Sequence, residues 1–259
     1  MKQTGTFIEE TGAQCGLVGF FDLLGYKSIV ENNTIGELIF VVKKIQETIR
    51  ESLRQLHVTE DCLSQALPSH ENVGSIEHVV FSDSIFICTT YPETERELRI
   101  QAAKFNEFCS DLVSGLFWAG LPVRGALAFG DYFVERTEMG IFLAGAPIVE
   151  AHELSNCFDM SACVIAPSAE GVLAKMQILA SSSEVQAGYT HQRVPLKGNQ
   201  RQEMFLLDHY SRDLSYHPDR TISRQIVMQK FADHKKRITV EVLPKVNNTL
   251  GFLEASRRQ

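Results

Sequence analysis

The sequence is short of the features that mark several common protein classes. No apolar run approaches the roughly 18 residues that a membrane-spanning helix needs. The opening Met1-Lys-Gln-Thr-Gly-Thr has no apolar stretch of the kind a signal peptide carries, so a soluble cytoplasmic protein with no membrane partner is expected. The cysteines (Cys15, Cys62, Cys88, Cys109, Cys157 and Cys163) are scattered without a C-x-x-C pair. That spacing argues against a zinc ribbon or a disulfide framework, and most of the six read as small core residues in a reducing compartment. Basic residues are outnumbered, 25 Lys and Arg against 32 Asp and Glu, for a net charge of −7. A broad nucleic-acid surface needs the opposite balance, so no nucleic-acid partner is expected; a small basic pocket for a phosphorylated ligand remains compatible. There is no G-x-x-x-x-G-K-[ST] loop and no G-x-S-x-G elbow. His152-Glu153 has no second histidine four residues on, so it is no zinc-protease helix, and the eight histidines show no ligand spacing.

What is present is an ordinary globular composition, 44% hydrophobic and 22% charged. The length suits one large domain, or one domain with an appendage. Residues 1–14 are polar and read as a loose N-terminus, 15–210 as the main domain, and 211–259 as a C-terminal helical extension. The apolar run Cys15-Gly-Leu-Val-Gly-Phe-Phe-Asp22 reads as a buried strand closed by Asp22 and Gly25. Residues 34–56 read as a helix. Thr34 and Glu37 have capping-box spacing, and Ile35, Leu38, Ile39, Val42, Ile45 and Ile49 recur every three or four positions. A loop is expected over 57–75, broken by Pro68 and Gly74.

Two β-branched and aromatic runs then flank Ser82-Asp83-Ser84, which predicts a hairpin with Asp83 at its tip. A second capping box, Thr94 with Glu97, opens a helix toward Trp118. A strand over 121–130 is expected to turn into an antiparallel partner from Asp131. Pro147 starts a helix running to Leu154, Met160 to Ala166 is a strand, and 194–198 with 204–207 form a last hairpin. From about Ser211 basic residues punctuate a helical stretch to about 237, expected as a solvated face. The alternation of hairpins and crossovers predicts an α+β fold, ferredoxin-like or palm-type, with helices packed on a mainly antiparallel sheet.

The chemistry rests on Asp22 and Asp83. Each ends an apolar strand, so neighbouring strands would bring the two carboxylates to one sheet edge. Two hard oxygen ligands there suit Mg²⁺ or Mn²⁺. A pair of such ions, typically about 3.5–4 Å apart, can activate a hydroxyl and neutralise a triphosphate. Gly25 would let backbone amides approach phosphate oxygens. The plainer alternative makes Asp83 a turn residue and Asp22 a helix cap.

Phe20-Phe-Asp22-Leu-Leu-Gly25-Tyr26 resembles the F-x-D-x-x-G-F opening of the class III nucleotidyl cyclases. Phe81-Ser-Asp83-Ser-Ile-Phe-Ile resembles their second metal-aspartate hairpin, and Val123-Arg124-Gly-Ala-Leu-Ala-Phe-Gly130 their V-R-x-G-x-x-x-G strand, one spacing off in places. The stretch from Gly145 to Leu154 resembles their G-x-x-V-N-x-A-x-R-L helix, and Pro195-Leu-Lys197-Gly198 their late L-K-G turn. The five motifs occur in family order over roughly residues 16–210. The departures fall elsewhere. The family's helix asparagine lies at Val149 and its transition-state arginine at Glu153. The two adenine-reading positions are Val79 and Phe142. A cyclase that lost activity and a branch with another base preference both fit this pattern. The short chain and the Ser-Asp-Ser hairpin are most similar to the pyrimidine cyclases of bacterial Pycsar anti-phage systems.

That resemblance implies two Mg²⁺ or Mn²⁺ ions per site, held by Asp22, Asp83 and the Leu23 carbonyl. It implies UTP or CTP as substrate and a cyclic pyrimidine monophosphate as the messenger for a separate effector protein. It also implies a homodimer with composite active sites, and nucleotide contacts at Leu23, Gly25, Tyr26, Val79 and Phe142. With Glu153 at the arginine's place, Arg124 and Lys197 are the candidates to meet charge on the α-phosphate. Arg193 and Arg201, which flank the same late hairpin, are the alternatives. A noncatalytic nucleotide-binding or dimerisation module on the same fold is the competing reading.

Overall fold

The computed structural model describes residues 13–66, 76–90, 95–138, 140–176, 179, 188–198, 200–210 and 221–256. Its first unit is β1 (Ala13–Leu23), a short α1 (Tyr26–Asn32), α2 (Ile35–Ala66), β2 (Ile76–Phe81), β3 (Ser84–Thr90), α3 (Glu95–Trp118) and β4 (Val123–Thr137). There follow β5 (Gly140–Gly145), α4 (Ala146–Cys157), β6 (Ala162–Ile165), α5 (Pro167–Lys175), β7 (Tyr189–Pro195) and β8 (Arg201–Leu207). The last two helices are α6 (Arg224–Ala232) and α7 (Leu243–Ser256). The sheet order is β2-β3-β1-β4-β6-β8-β7, with β5 paired to the outer part of β4. Every pairing is antiparallel except β4 with β6. The fold is therefore α+β with a mainly antiparallel sheet, as the alternation of elements predicts. Its first four strands form the split β-α-β of a ferredoxin-like unit.

The period of two along β1 sends its side chains to two cores. Leu17, Phe21 and Leu23 pack with Ile45 and Ile49 of α2 and with Phe105, Phe108 and Leu112 of α3. Phe20 faces the other way, into a cluster with Ala126, Ala128, Ala151 and Phe158. Val227 and Phe231 of α6 and Val246, Phe252 and Leu253 of α7 complete that second cluster. The C-terminal helices thus supply core, not only a solvated face. The basic punctuation hides this, because the apolar positions of each helix are few and widely spaced. Phe105 is fully buried and its ring lies beneath Gly19. Phe105→Ala is expected to cost about 3–5 kcal/mol, seen as a lower urea midpoint with an unchanged slope.

Several boundaries differ from the sequence expectation. The Thr34–Glu37 box forms, with the Thr34 N–H donating to Glu37 Oε2 at 2.8 Å and the Glu37 N–H donating to Thr34 Oγ1 at 3.4 Å. The helix it opens does not stop at 56 but runs to Ala66, since its first breaker is Pro68. The loop of 67–75, the loose residues 1–12 and Thr94 lie outside the described residues. The strand from Val123 does not turn at Asp131. It continues through Gly130 to Thr137, and its hairpin partner is β5. Gly130 carries a φ of +155°, so the strand passes this point by using a conformation that glycine tolerates. The helix after Pro147 extends to Cys157, α1 and α5 are additional, and α7 lies within the span read as a helical extension. Cys88, Cys109 and Cys163 are buried core thiols, whereas Cys157 is exposed. Among the described residues, no helix is long and apolar enough to cross a membrane.

The end of α3 carries a feature that reaches the far end of the chain. Gly120 (φ +79°) closes the helix in a Schellman turn, the Leu121 N–H donating to Leu116 O at 2.8 Å and the Gly120 N–H to Phe117 O at 3.0 Å. Three carbonyls beyond these are still without helical partners. Lys230 Nζ donates to Trp118 O at 2.8 Å, His234 Nε2 lies 2.8 Å from Ala119 O, and Lys236 Nζ donates to Gly120 O. All three partners come from α6 and the turn that follows it.

Candidate active site

β1 delivers Asp22 to the edge of the sheet between two partners. Asp22 stands opposite Ser84 of β3 on one side and Arg124 of β4 on the other. Ser82 and Asp83 form the two-residue turn between β2 and β3, with Ser82 at φ +56°. The Leu23 N–H donates to the Asp83 carbonyl at 2.9 Å, which ties the turn to the end of β1. Adjacent strands lie about 4.8 Å apart, so Asp22 and Asp83 are neighbours although the sequence separates them widely. Burial pushes the Asp22 carboxyl above the ordinary carboxylate range. The Arg124 charge and hydrogen bond pull it back, the Asp83 charge adds to the rise, and His152 opposes it.

Arg124 is largely buried and committed. Its Nε and one terminal nitrogen each lie 2.9 Å from Asp22 Oδ2, and a terminal nitrogen donates to Asn156 Oδ1 at 2.6 Å. Asn156 and His152 sit one turn apart on α4, and Asn156 Nδ2 lies 3.2 Å from His152 Nε2. The His152 ring packs edge-on against Phe20, with centroids 5.0 Å apart, and Phe20 in turn meets Phe86 at 5.0 Å. Sequence reasoning missed Asn156 and His152. Their i, i+4 spacing was the available signal, but alignment to the family helix directs attention to Val149 and Glu153, which are exposed on α4.

Gly25 adopts φ +83°, where a Cβ would sit 2.9 Å from Lys236 Cδ. Only glycine combines that φ with room for the lysine stem. The same segment is tied down on both sides. Arg237 N–H donates to Ser28 Oγ at 3.0 Å, Asn33 Nδ2 donates to His234 O at 2.7 Å, and Lys235 pairs with Glu37. Hydrogen bonds from Lys235 first and then from Thr34 hold the Glu37 carboxyl down to about 2.

The remaining expected residues divide between locations. Tyr26 and Val79 line a groove of about 740 Å³ between α2, β2 and the β4–β5 hairpin, together with Ser82, Arg50 and Arg136. Phe142 is not among the residues lining it; it lies exposed on β5 opposite Glu135, next to Ile141, which does line it. Lys197 is exposed, and its backbone N–H donates to Cys157 O at 2.8 Å, so its turn docks at the end of α4 one residue beyond Asn156. Arg193 and Arg201 are drawn elsewhere. They line a separate cavity of about 290 Å³ against α7, and Arg193 pairs with Glu203 at 3.4 Å.

Asp22 and Asp83 offer hard carboxylate oxygens, and the main chain at Leu23 brings a carbonyl to the same corner. Among the described residues, no group of three or more acidic, histidine or cysteine side chains gathers at one point. A cation here would draw its other oxygens from water and substrate, which fits Mg²⁺ or Mn²⁺ with a phosphorylated ligand better than an all-protein Ca²⁺ or Zn²⁺ cage.

No family model and no curated protein matches the chain. Solved structures similar to it include a bacterial light-regulated adenylyl cyclase, at 11% identity and a TM-score of 0.46 over 84% of this chain and 98% of that one. Another is the dimeric guanylyl cyclase domain of the RhoGC fusion protein from the aquatic fungus Blastocladiella emersonii, at 11% and 0.44 over 75% and 96%. A third is an adenylate cyclase of Trypanosoma brucei in its monomeric state, at 12% and 0.42 over 77% and 90%. The chemistry of the site rests on its own residues.

Proposed function

We propose that the chain is a nucleotidyl cyclase that converts UTP or CTP into a 3′,5′-cyclic pyrimidine monophosphate and pyrophosphate, as the messenger synthase of an anti-phage system. The observation that carries this reading is the meeting of Asp22 and Asp83 at one corner of the sheet, joined by the Leu23–Asp83 backbone bond. In the reaction the 3′-hydroxyl gives its proton to water and its oxygen bonds to the α-phosphorus, the bond from that phosphorus to the bridging oxygen breaks, and pyrophosphate departs. Two bound Mg²⁺ or Mn²⁺ ions would supply acidity to the hydroxyl and counter-charge to the triphosphate. Asp22, Asp83 and the Leu23 carbonyl would hold them. No side-chain base is required. Arg124 is engaged with Asp22, which leaves the exposed Lys197, beside the end of α4, as the chain's better-placed cation for charge developing on the phosphoryl oxygens.

The pyrimidine preference draws on Val79, which lines the groove beside Ser82 at one of the family's two adenine-reading positions and offers no hydrogen bond to adenine's edge. A homodimer with composite sites is supported by exposed apolar side chains on several elements, among them Ile35 and Phe40 of α2, Phe81 of β2, Phe142 of β5 and Val149 of α4. The noncatalytic reading draws on one observation, the glutamate at position 153 where the family places its transition-state arginine. Incubation with each of the four ribonucleoside triphosphates and Mn²⁺ decides between them. Pyrophosphate and cyclic product from UTP or CTP are expected. Product from ATP or GTP alone overturns the base preference, and binding of nucleotide without turnover establishes the noncatalytic module.

A further inference from the structure

His152, Asn156, Arg124 and Asp22 form a single chain of contacts that crosses from α4 through β4 to β1. Each link is directional. The Asn156 amide gives its nitrogen to His152, whose carbonyl oxygen accepts at 3.1 Å and whose Nε2 lies at 3.2 Å. That orientation leaves Asn156 Oδ1 for the arginine, and the 2.6 Å bond it accepts is short and charge-assisted. Both contacts from Arg124 then fall on the same oxygen of Asp22, Oδ2. Oδ1 is the oxygen not committed to the guanidinium. Without its anchor on Asn156 the arginine could swing to bridge both oxygens, the fork geometry it prefers with a carboxylate.

We infer that Asn156, oriented by His152, is a positioning residue that confines Arg124 to one oxygen of Asp22 and so reserves the other for the cation. The inference rests on the cyclase reading of the site, and it assigns to α4 a task that lies on its His152–Asn156 face. Outer partners of this kind commonly change metal affinity by about 10–100-fold when removed. His152 has its own support from the Phe20 ring on the strand that carries Asp22.

Mn²⁺ binding to the metal-free full chain, followed by electron paramagnetic resonance without nucleotide, tests this apart from turnover. Asn156→Leu is expected to weaken binding by about tenfold or more. Asn156→Asp keeps an oxygen for Arg124 and is expected to bind at least as tightly as the wild type. His152→Ala leaves the acceptor but loosens it, and is expected to show a smaller loss in the same direction. Should Asn156→Leu fail to fold by its thermal midpoint, the other two variants decide. Wild-type affinity in both Asn156→Leu and His152→Ala, alongside lost binding in Asp22→Asn, overturns the positioning role and leaves the cyclase reading intact. Failure of the wild type to bind Mn²⁺ both alone and with a non-cleavable UTP or CTP analogue removes the cation site, and the cyclase reading falls with the inference.

Discussion

On the proposed cyclase reading, Asp22→Asn and Asp83→Ala are each expected to lower the rate of cyclic-nucleotide formation by about a thousandfold or more. The cations these residues would hold would provide several kcal/mol of stabilisation for charge that develops only in the transition state. Each 1.36 kcal/mol is a factor of ten, so losing about 4 kcal/mol gives a thousandfold. The choice of replacement matters. Arg124 is largely buried and spends two contacts on Asp22 Oδ2. Alanine at position 22 would leave that guanidinium buried and unpaired, at a cost of about 3–5 kcal/mol in stability. Asparagine keeps an oxygen for Arg124 while removing the charge, so loss of activity is not confused with loss of fold. Asp83 occupies a turn whose tie to Leu23 runs through its main-chain carbonyl, which alanine preserves. Product measured by chromatography, with thermal midpoints recorded alongside, checks both. Activity within tenfold of the wild type in either variant would remove that residue from the metal-binding pair.

The second large effect concerns alkaline stability and Lys236. Burial lowers the pKa of this lysine to about 8, the neighbouring Asp233 resisting the shift and Lys230 adding to it. The unfolded chain keeps an ordinary lysine near 10.4. Between those values the unfolded state holds a proton that the folded state has released, so the contribution of Lys236 to stability rises with pH across the window. Below about 8 both states are protonated and the folded state bears the cost of a buried charge. Over the whole window the gain amounts to about 3 kcal/mol. Other groups oppose it. Burial raises the thiols of Cys15 and Cys88 to about 11, and those lose stability as the unfolded thiols ionise. The comparison is therefore between the wild type and Lys236→Met, which keeps an unbranched stem over Gly25. Urea unfolding at pH 7.5 and at pH 10 should show the difference moving in favour of the wild type by roughly 2–3 kcal/mol. A difference that stays constant with pH would mean that Lys236 titrates in the folded protein as it does in the open chain.

Much of this architecture is legible in short stretches of sequence. The Thr34–Glu37 box, the paired runs around Asp83 and the apolar strand ending at Asp22 each encode their structure within a few residues, by hydrogen-bonding capacity or by period. Those stretches place each aspartate at the end of a strand, and the pairing of β1 with β3 makes the two strands neighbours. What was not legible depends on partners far along the chain. Gly130 has the composition of a strand end, yet β4 passes through it because Gly16 of β1 stands opposite and extends the ladder. Lys230, His234 and Lys236 have the pattern of a solvated basic face, and their real partners are three carbonyls more than 110 positions earlier. Asn156 gives no sign in isolation that it receives an arginine from β4. Arg124 could be read as either a phosphate ligand or a partner of a carboxylate, and only the register of β1 with β4 sets it against Asp22.

The cation cluster that closes α3 has a temporal side. The turn at Gly25 follows β1, but the lysine that packs against it lies more than 200 positions further along the chain. A nascent chain can assemble the β1–β4 ladder and still hold an unbuttressed turn until position 236 has emerged. The turn beside the candidate site therefore gains its full support only after that later segment has been made.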